Sequence, residues 1–199
     1  MDLEDYVDEP FLKVLPSFVK NLKKKKETGL AILWDFATKK YVTHFFEGDE
    51  ITVQTPHALR KKALIVAHTH PPSLYPNAQY QPPSHLDIRE FLVDQAYYGA
   101  DAPHDYVLDK SGIYRILGLT KEAQKEWNKQ FTYNQERNAV QMTQKGEDFL
   151  DVAMHNANIS AVALVQGKLT MPEYIEEMAT LWDGDMGIDI VFIPYSRLL

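Results

Sequence analysis

The chain has 199 residues, 45% of them hydrophobic and 12% aromatic, and a formal net charge of −7 at pH 7. That is enough apolar material to bury a real core, and it excludes a disordered chain; the acidic balance excludes a general binder of nucleic-acid phosphate. With no cysteine anywhere, disulfides, thiolate metal sites and a Cys nucleophile are excluded too. Residues 1–10 are acidic and hold no apolar stretch of the signal-peptide kind, and no apolar run is long enough to span a bilayer. The expectation is a soluble, cytoplasmic protein that makes no membrane contact.

Phe11, Leu15, Phe18 and Leu22 share one face of a helix predicted over 11–26. Lys23, Lys24, Lys25 and Lys26 close it, where the helix dipole favours cations, and Pro16 is expected to delay its regular start. The stretch 29–36, with its continuous apolar run Leu-Ala-Ile-Leu-Trp, reads as a buried strand. Residues 40–46 alternate and read as its partner across a turn at 35–39. Residues 51–53 suggest a short third strand. Residues 63–67 (Ala-Leu-Ile-Val-Ala) form another buried strand that runs straight into His68. Five prolines make 71–83 a loop. Ser84 then caps a helix to about Tyr98, with Asp87 at the third helical position as in a capping box and Leu86, Phe91, Leu92 and Ala96 turned inward. Residues 104–108 and 112–117 read as a hairpin. Beyond it, 120–155 is a long helix-favouring segment, 159–165 fits strand or helix, 171–182 is helical, and 188–193 is a last strand. The fold class is therefore α/β (α+β), a mixed central sheet flanked by helices. The core occupies 1–119, and a mainly helical extension, 120–199, packs on it and offers a surface to a protein partner.

The chemistry concentrates in Ala67-His68-Thr69-His70-Pro71 and Pro83-Ser84-His85-Leu86-Asp87. Two histidines one residue apart at a strand end can aim at one point, and imidazole nitrogen is a preferred zinc donor. Asp87, in the first turn of the next helix, supplies a third, anionic ligand. Two His and one carboxylate leave the fourth tetrahedral position for water, the layout of a catalytic zinc site. Such a site needs a general base. Glu27, just before the first buried strand in Glu-Thr-Gly-Leu, is preferred to Glu47 and Glu50, which lie in a polar turn. His85 is expected to point elsewhere, Thr69 to be packed or hydrogen-bonded on the opposite face, and His44, His57, His104 and His155 to have no role in the site. The Lys23–Lys26 run reads as a solvated helix end. Gln166-Gly167-Lys168-Leu169-Thr170 imitates the tail of a P-loop but lacks its first glycine.

His-x-His-Pro followed by Ser-x-x-Asp, with an upstream Glu-x-Gly-Leu, resembles the JAMM/MPN+ metalloproteases, a family of zinc isopeptidases that includes deubiquitinases. The resemblance spans roughly Glu27 to Leu117. It implies a cytidine-deaminase-like core, zinc held by His68, His70 and Asp87, Glu27 as general acid/base, and Ser84 as the serine that supports the tetrahedral intermediate. It also implies a substrate amide at the tail of a ubiquitin-like protein. The gap from His70 to Ser84 is longer than the family's usual spacing, and with Tyr75 and Tyr80 it is expected to shape the substrate groove. Other readings stay open: a zinc peptidase or toxin-like amidase acting on a different amide, an MPN-type scaffold, and a RadC-like DNA-associated protein.

Overall fold

The computed structural model describes residues 7–48, 53–72, 81–134 and 139–198. The chain is an α/β structure with a six-stranded mixed sheet and flanking helices. By compactness it divides into two units: Met1–Gln81 with Pro103–Arg115 and Phe192–Leu199, and Pro82–Ala102 with Ile116–Val191.

In the first unit, helix α1 spans Glu9–Phe18 and buries Phe11, Leu15 and Phe18. It starts before the predicted point, because Pro10 occupies the first turn, where no N–H is needed. Pro16 lies inside it and gives up one backbone bond. The α-helix stops at Phe18 and tightens into a 3₁₀ turn, Val19–Lys23, so the lysine run leaves the helix instead of closing it. Phe11 stacks on Tyr106, with ring centroids 4.2 Å apart.

Strand β1 (Thr28–Asp35) pairs antiparallel with β2 (Lys40–Glu47) on one side and with β3 (Ala63–Thr69) on the other. After the short helix α2 (His57–Arg60), β3 runs parallel to β4 (His104–Leu108). β1 and β3 have strands on both sides and are largely buried, in keeping with their near-continuous apolar sequences. β2 is an edge strand and is largely exposed. The turn between β1 and β2 places Lys39 at φ 52. Of the short strand read at 51–53, Val53 is not in a strand, and 51 and 52 lie outside the described residues. β4 turns through Asp109–Ser111 into β5 (Gly112–Leu119), and β8 (Ile188–Pro194) lies beside β5 to complete the order β2-β1-β3-β4-β5-β8.

In the second unit, α3 (His85–Tyr98) buries Ile88, Phe91, Leu92 and Asp94, while Leu86 is exposed rather than turned inward. A helix beginning at His85 sets the inward face at 88, 91 and 92, and Leu86 falls outside that stripe. The segment read as one long helix is interrupted. Helix α4 ends at Asn128 (Lys121–Asn128), and β6 (Phe131–Asn134) pairs antiparallel with β7 (Ala139–Met142). Thr132, Tyr133 and Val140 are good strand formers, and they win locally. Helix α5 then runs Gln144–Val165 and absorbs the ambiguous run at 159–165. Helix α6 (Met171–Ala179) continues as a π-helical turn, Thr180–Asp185. Thr120, Thr143 and Thr170 cap α4, α5 and α6, each accepting a backbone N–H three residues on. Trp127, Leu150, Met154, Tyr174, Met178 and Trp182 are buried in this unit. Among the described residues, no helix is long and apolar enough to cross a membrane.

Candidate metal centre

β3 carries Ile65, Val66 and Ala67 into the core and then presents His68 and His70, with Thr69 buried between them. Alternation along a strand sends Thr69 to the opposite face from the two histidines. Its Oγ1 accepts the Thr28 N–H at 3.0 Å, which pins the end of β3 to the start of β1. The His70 N–H donates to the Leu108 carbonyl at 2.7 Å, so the chain follows β4 one residue beyond the strand. The consequence is convergence: His68 Nε2 and His70 Nε2 stand 3.1 Å apart, His70 buried and His68 half-buried. Gly29 lies across from His68 on one side and from Phe46 on the other. A Cβ at Gly29 would strike the Phe46 ring, so glycine is what admits that ring.

Continuing the β1–β3 register one step past Thr28 and Thr69 puts Glu27 opposite His70. Glu27 is buried, and its Oε2 accepts the Val53 N–H at 3.0 Å. Its competitors fare differently. Glu47 is exposed and paired with Lys24 at 2.6 Å, whose hydrogen bond and charge hold its pKa below the usual range. Glu50 lies outside the described residues.

Sequence reasoning missed Asp109, which is fully buried at the turn between β4 and β5. Its carboxylate accepts backbone N–H groups from Gln81 (2.8 Å), Ser111 (2.6 Å) and Gly112 (2.9 Å). Burial pushes its pKa up to about 6, against the pull of those three donors and of the His70 charge. Both ends of the proline-rich loop are thus tied to this hairpin, His70 through Leu108 and Gln81 through Asp109. Tyr75 and Tyr80 of that loop lie outside the described residues.

In the second unit, Ser84 and Asp87 form a complete capping box. Ser84 Oγ accepts the Asp87 N–H, and the Asp87 carboxylate accepts the Ser84 N–H. The α3 dipole favours a negative charge at this place, and the capping box orients the Asp87 carboxylate. A carboxylate has two oxygens and about four lone pairs, so capping and metal ligation are compatible. His85 turns to its own unit, with Nε2 2.8 Å from Glu147 and Nδ1 2.7 Å from Asp151. The same Glu147 also holds Arg89 at 2.8 Å.

His68, His70 and Asp87 are a group that could hold a metal ion, the one such group among the described residues. Of the remaining histidines, His104 does have partners. Its Nδ1 is 2.9 Å from Asp8, which also accepts the Tyr106 hydroxyl and an Arg115 contact at 3.3 Å. This cluster fastens the start of α1 to β4 and β5. The family to which the motif was likened is not brought nearer by comparison: no protein-family model, curated protein or solved structure matches the chain.

Proposed function

We propose that the chain is a zinc-dependent amide hydrolase of the JAMM/MPN+ type, an isopeptidase or peptidase acting at the tail of a ubiquitin-like protein in the cytoplasm. The observation that carries this reading is the 3.1 Å approach of His68 Nε2 to His70 Nε2. Two nitrogens bound to one tetrahedral zinc stand about 3.3–3.4 Å apart, so the pair is spaced for a shared ion. With Asp87 as the third ligand, the donor set matches an open catalytic zinc site rather than a closed structural one. The mixed sheet with its flanking helices supports a cytidine-deaminase-like core.

A zinc ion at this place supplies Lewis acidity toward the substrate carbonyl and brings a water to ionise near neutral pH. Glu27 takes the proton of the attacking water and returns it to the leaving amine. Its bond from the Val53 N–H fixes one carboxylate oxygen and so the direction of the other. Ser84 Oγ uses a lone pair to accept the Asp87 N–H, which leaves its hydroxyl proton to donate to the developing oxyanion.

The test is intact-mass analysis of isopeptide- and peptide-linked ubiquitin-like substrates, treated with wild type and with Glu27→Gln. Cleavage after the ubiquitin-like tail is expected from wild type, with the variant slower by on the order of 10²–10⁴. Zinc-loaded wild type that cleaves none of the panel would rule out this substrate class and leave a different amide as the target.

A further inference from the structure

Helix α5 is the longest element described, 22 residues, and its exposed face is unusual for a surface helix. From Val152 to Gly167 no Asp, Glu, Lys or Arg occurs. Ala153, Met154, Ala157 and Ala161 are buried and account for the inner face. The outer face carries Val152, Ile159, Val162 and Val165 at 60, 54, 54 and 43% exposure. At 100° per residue, Val152, Ile159 and Val162 fall within about 80° of one another, with exposed His155 in the same sector, so they form a stripe and not a scatter. Outer faces of surface helices are normally charged, and an exposed, mostly aliphatic stripe without Asp, Glu, Lys or Arg marks an interaction surface.

The charges at its two ends select the occupant. The uncharged stretch is bounded by Asp148 and Asp151 on the N-terminal side and by Lys168 on the C-terminal side. A membrane surface fits poorly, because interfacial helices carry Lys and Arg on their polar face, and the charged residues of α5 are mostly acidic. A second copy of α5, laid antiparallel about a two-fold axis near Asn158, fits well. Asp148 and Asp151 lie in the N-terminal half of α5, and Lys168 follows just past its C-terminal end, so the acidic end of each copy faces the lysine-bearing end of the other, and the helix dipoles oppose. Parallel packing would bring like charges and like dipole ends together. We propose that the chain is a homodimer built on antiparallel α5–α5 packing, with Val152, Ile159 and Val162 at its centre. The proposal is independent of the metal reading.

The experiment uses the full chain. Light scattering on a size-exclusion column, across a concentration series, is expected to give twice the 22.9 kDa chain mass. Ile159→Glu, at an exposed position, is expected to weaken the dimer on the order of thirtyfold or more with an unchanged far-ultraviolet circular dichroism spectrum. Orientation is read separately, because a chain without cysteine accepts single-cysteine probes cleanly. Under mild oxidation Ile159→Cys, close to the axis, is expected to link to its own copy. Val152→Cys, about 18 Å along the helix from its counterpart in this arrangement, is too far away to do so. A monomer mass at every concentration would overturn the proposal, and so would Val152→Cys linking as readily as Ile159→Cys.

Discussion

Asp109 is held by three backbone N–H groups on one side and by deep burial on the other, and burial dominates. Its pKa lies near 6 in the folded chain against 3.8 ordinarily. Between those values the folded state keeps a proton that the unfolded state has lost. The group's contribution is therefore fully present below the unfolded value and is lost as pH rises through about 6. Two pKa units correspond to roughly 3 kcal/mol. Denaturant unfolding of metal-free protein at a series of pH values is expected to show wild-type stability falling over this window, and Asp109→Asn is expected to flatten that fall. Equal slopes in the two proteins would contradict this account of Asp109. The turn from Asp109 to Gly112 is local, but nothing in the sequence announces the burial of its carboxylate or its bond from Gln81, 28 residues away. The Asp8–His104–Tyr106–Arg115 cluster was hidden for the same reason: its members are up to 107 residues apart. His68 and His70 were legible because strand alternation alone puts them on one face.

On the proposed mechanism the start of α3 serves two purposes at the scale of an element, and substitution separates them. Ser84 closes the capping box with Asp87, and loss of such a cap costs about 1 kcal/mol for Ala but only a few tenths for Gly. If the Ser84 hydroxyl also donates to the oxyanion, Ser84→Ala and Ser84→Gly lose rate alike, on the order of 10²–10³, while their thermal stabilities differ. Rates that track the stabilities would reduce Ser84 to a cap. This capping box was readable as Ser-x-x-Asp, as were β1 and β3 from their apolar runs. The β6–β7 pair was not, because four-residue strands set between good helix formers carry too short a period to stand out. The early end of α1 was missed because a helix that tightens to 3₁₀ keeps nearly the same apolar spacing.

Each compact unit of the whole molecule is assembled from segments distant in sequence, one of three pieces and the other of two. No local pattern encodes such an arrangement. The proposed function nonetheless rests on a few short motifs, and its central claim is that His68, His70 and Asp87 hold zinc. The competing account of the 3.1 Å approach is a hydrogen bond between two imidazoles, one the donor and the other the acceptor. Metal content separates the two most directly. Elemental analysis of purified protein, wild type beside His70→Ala, is expected to find about one zinc per chain in wild type, the stoichiometry of one catalytic site, and almost none in the variant. Near-zero metal in both proteins, after zinc has been offered, would contradict the claim and leave the histidine pair a structural contact.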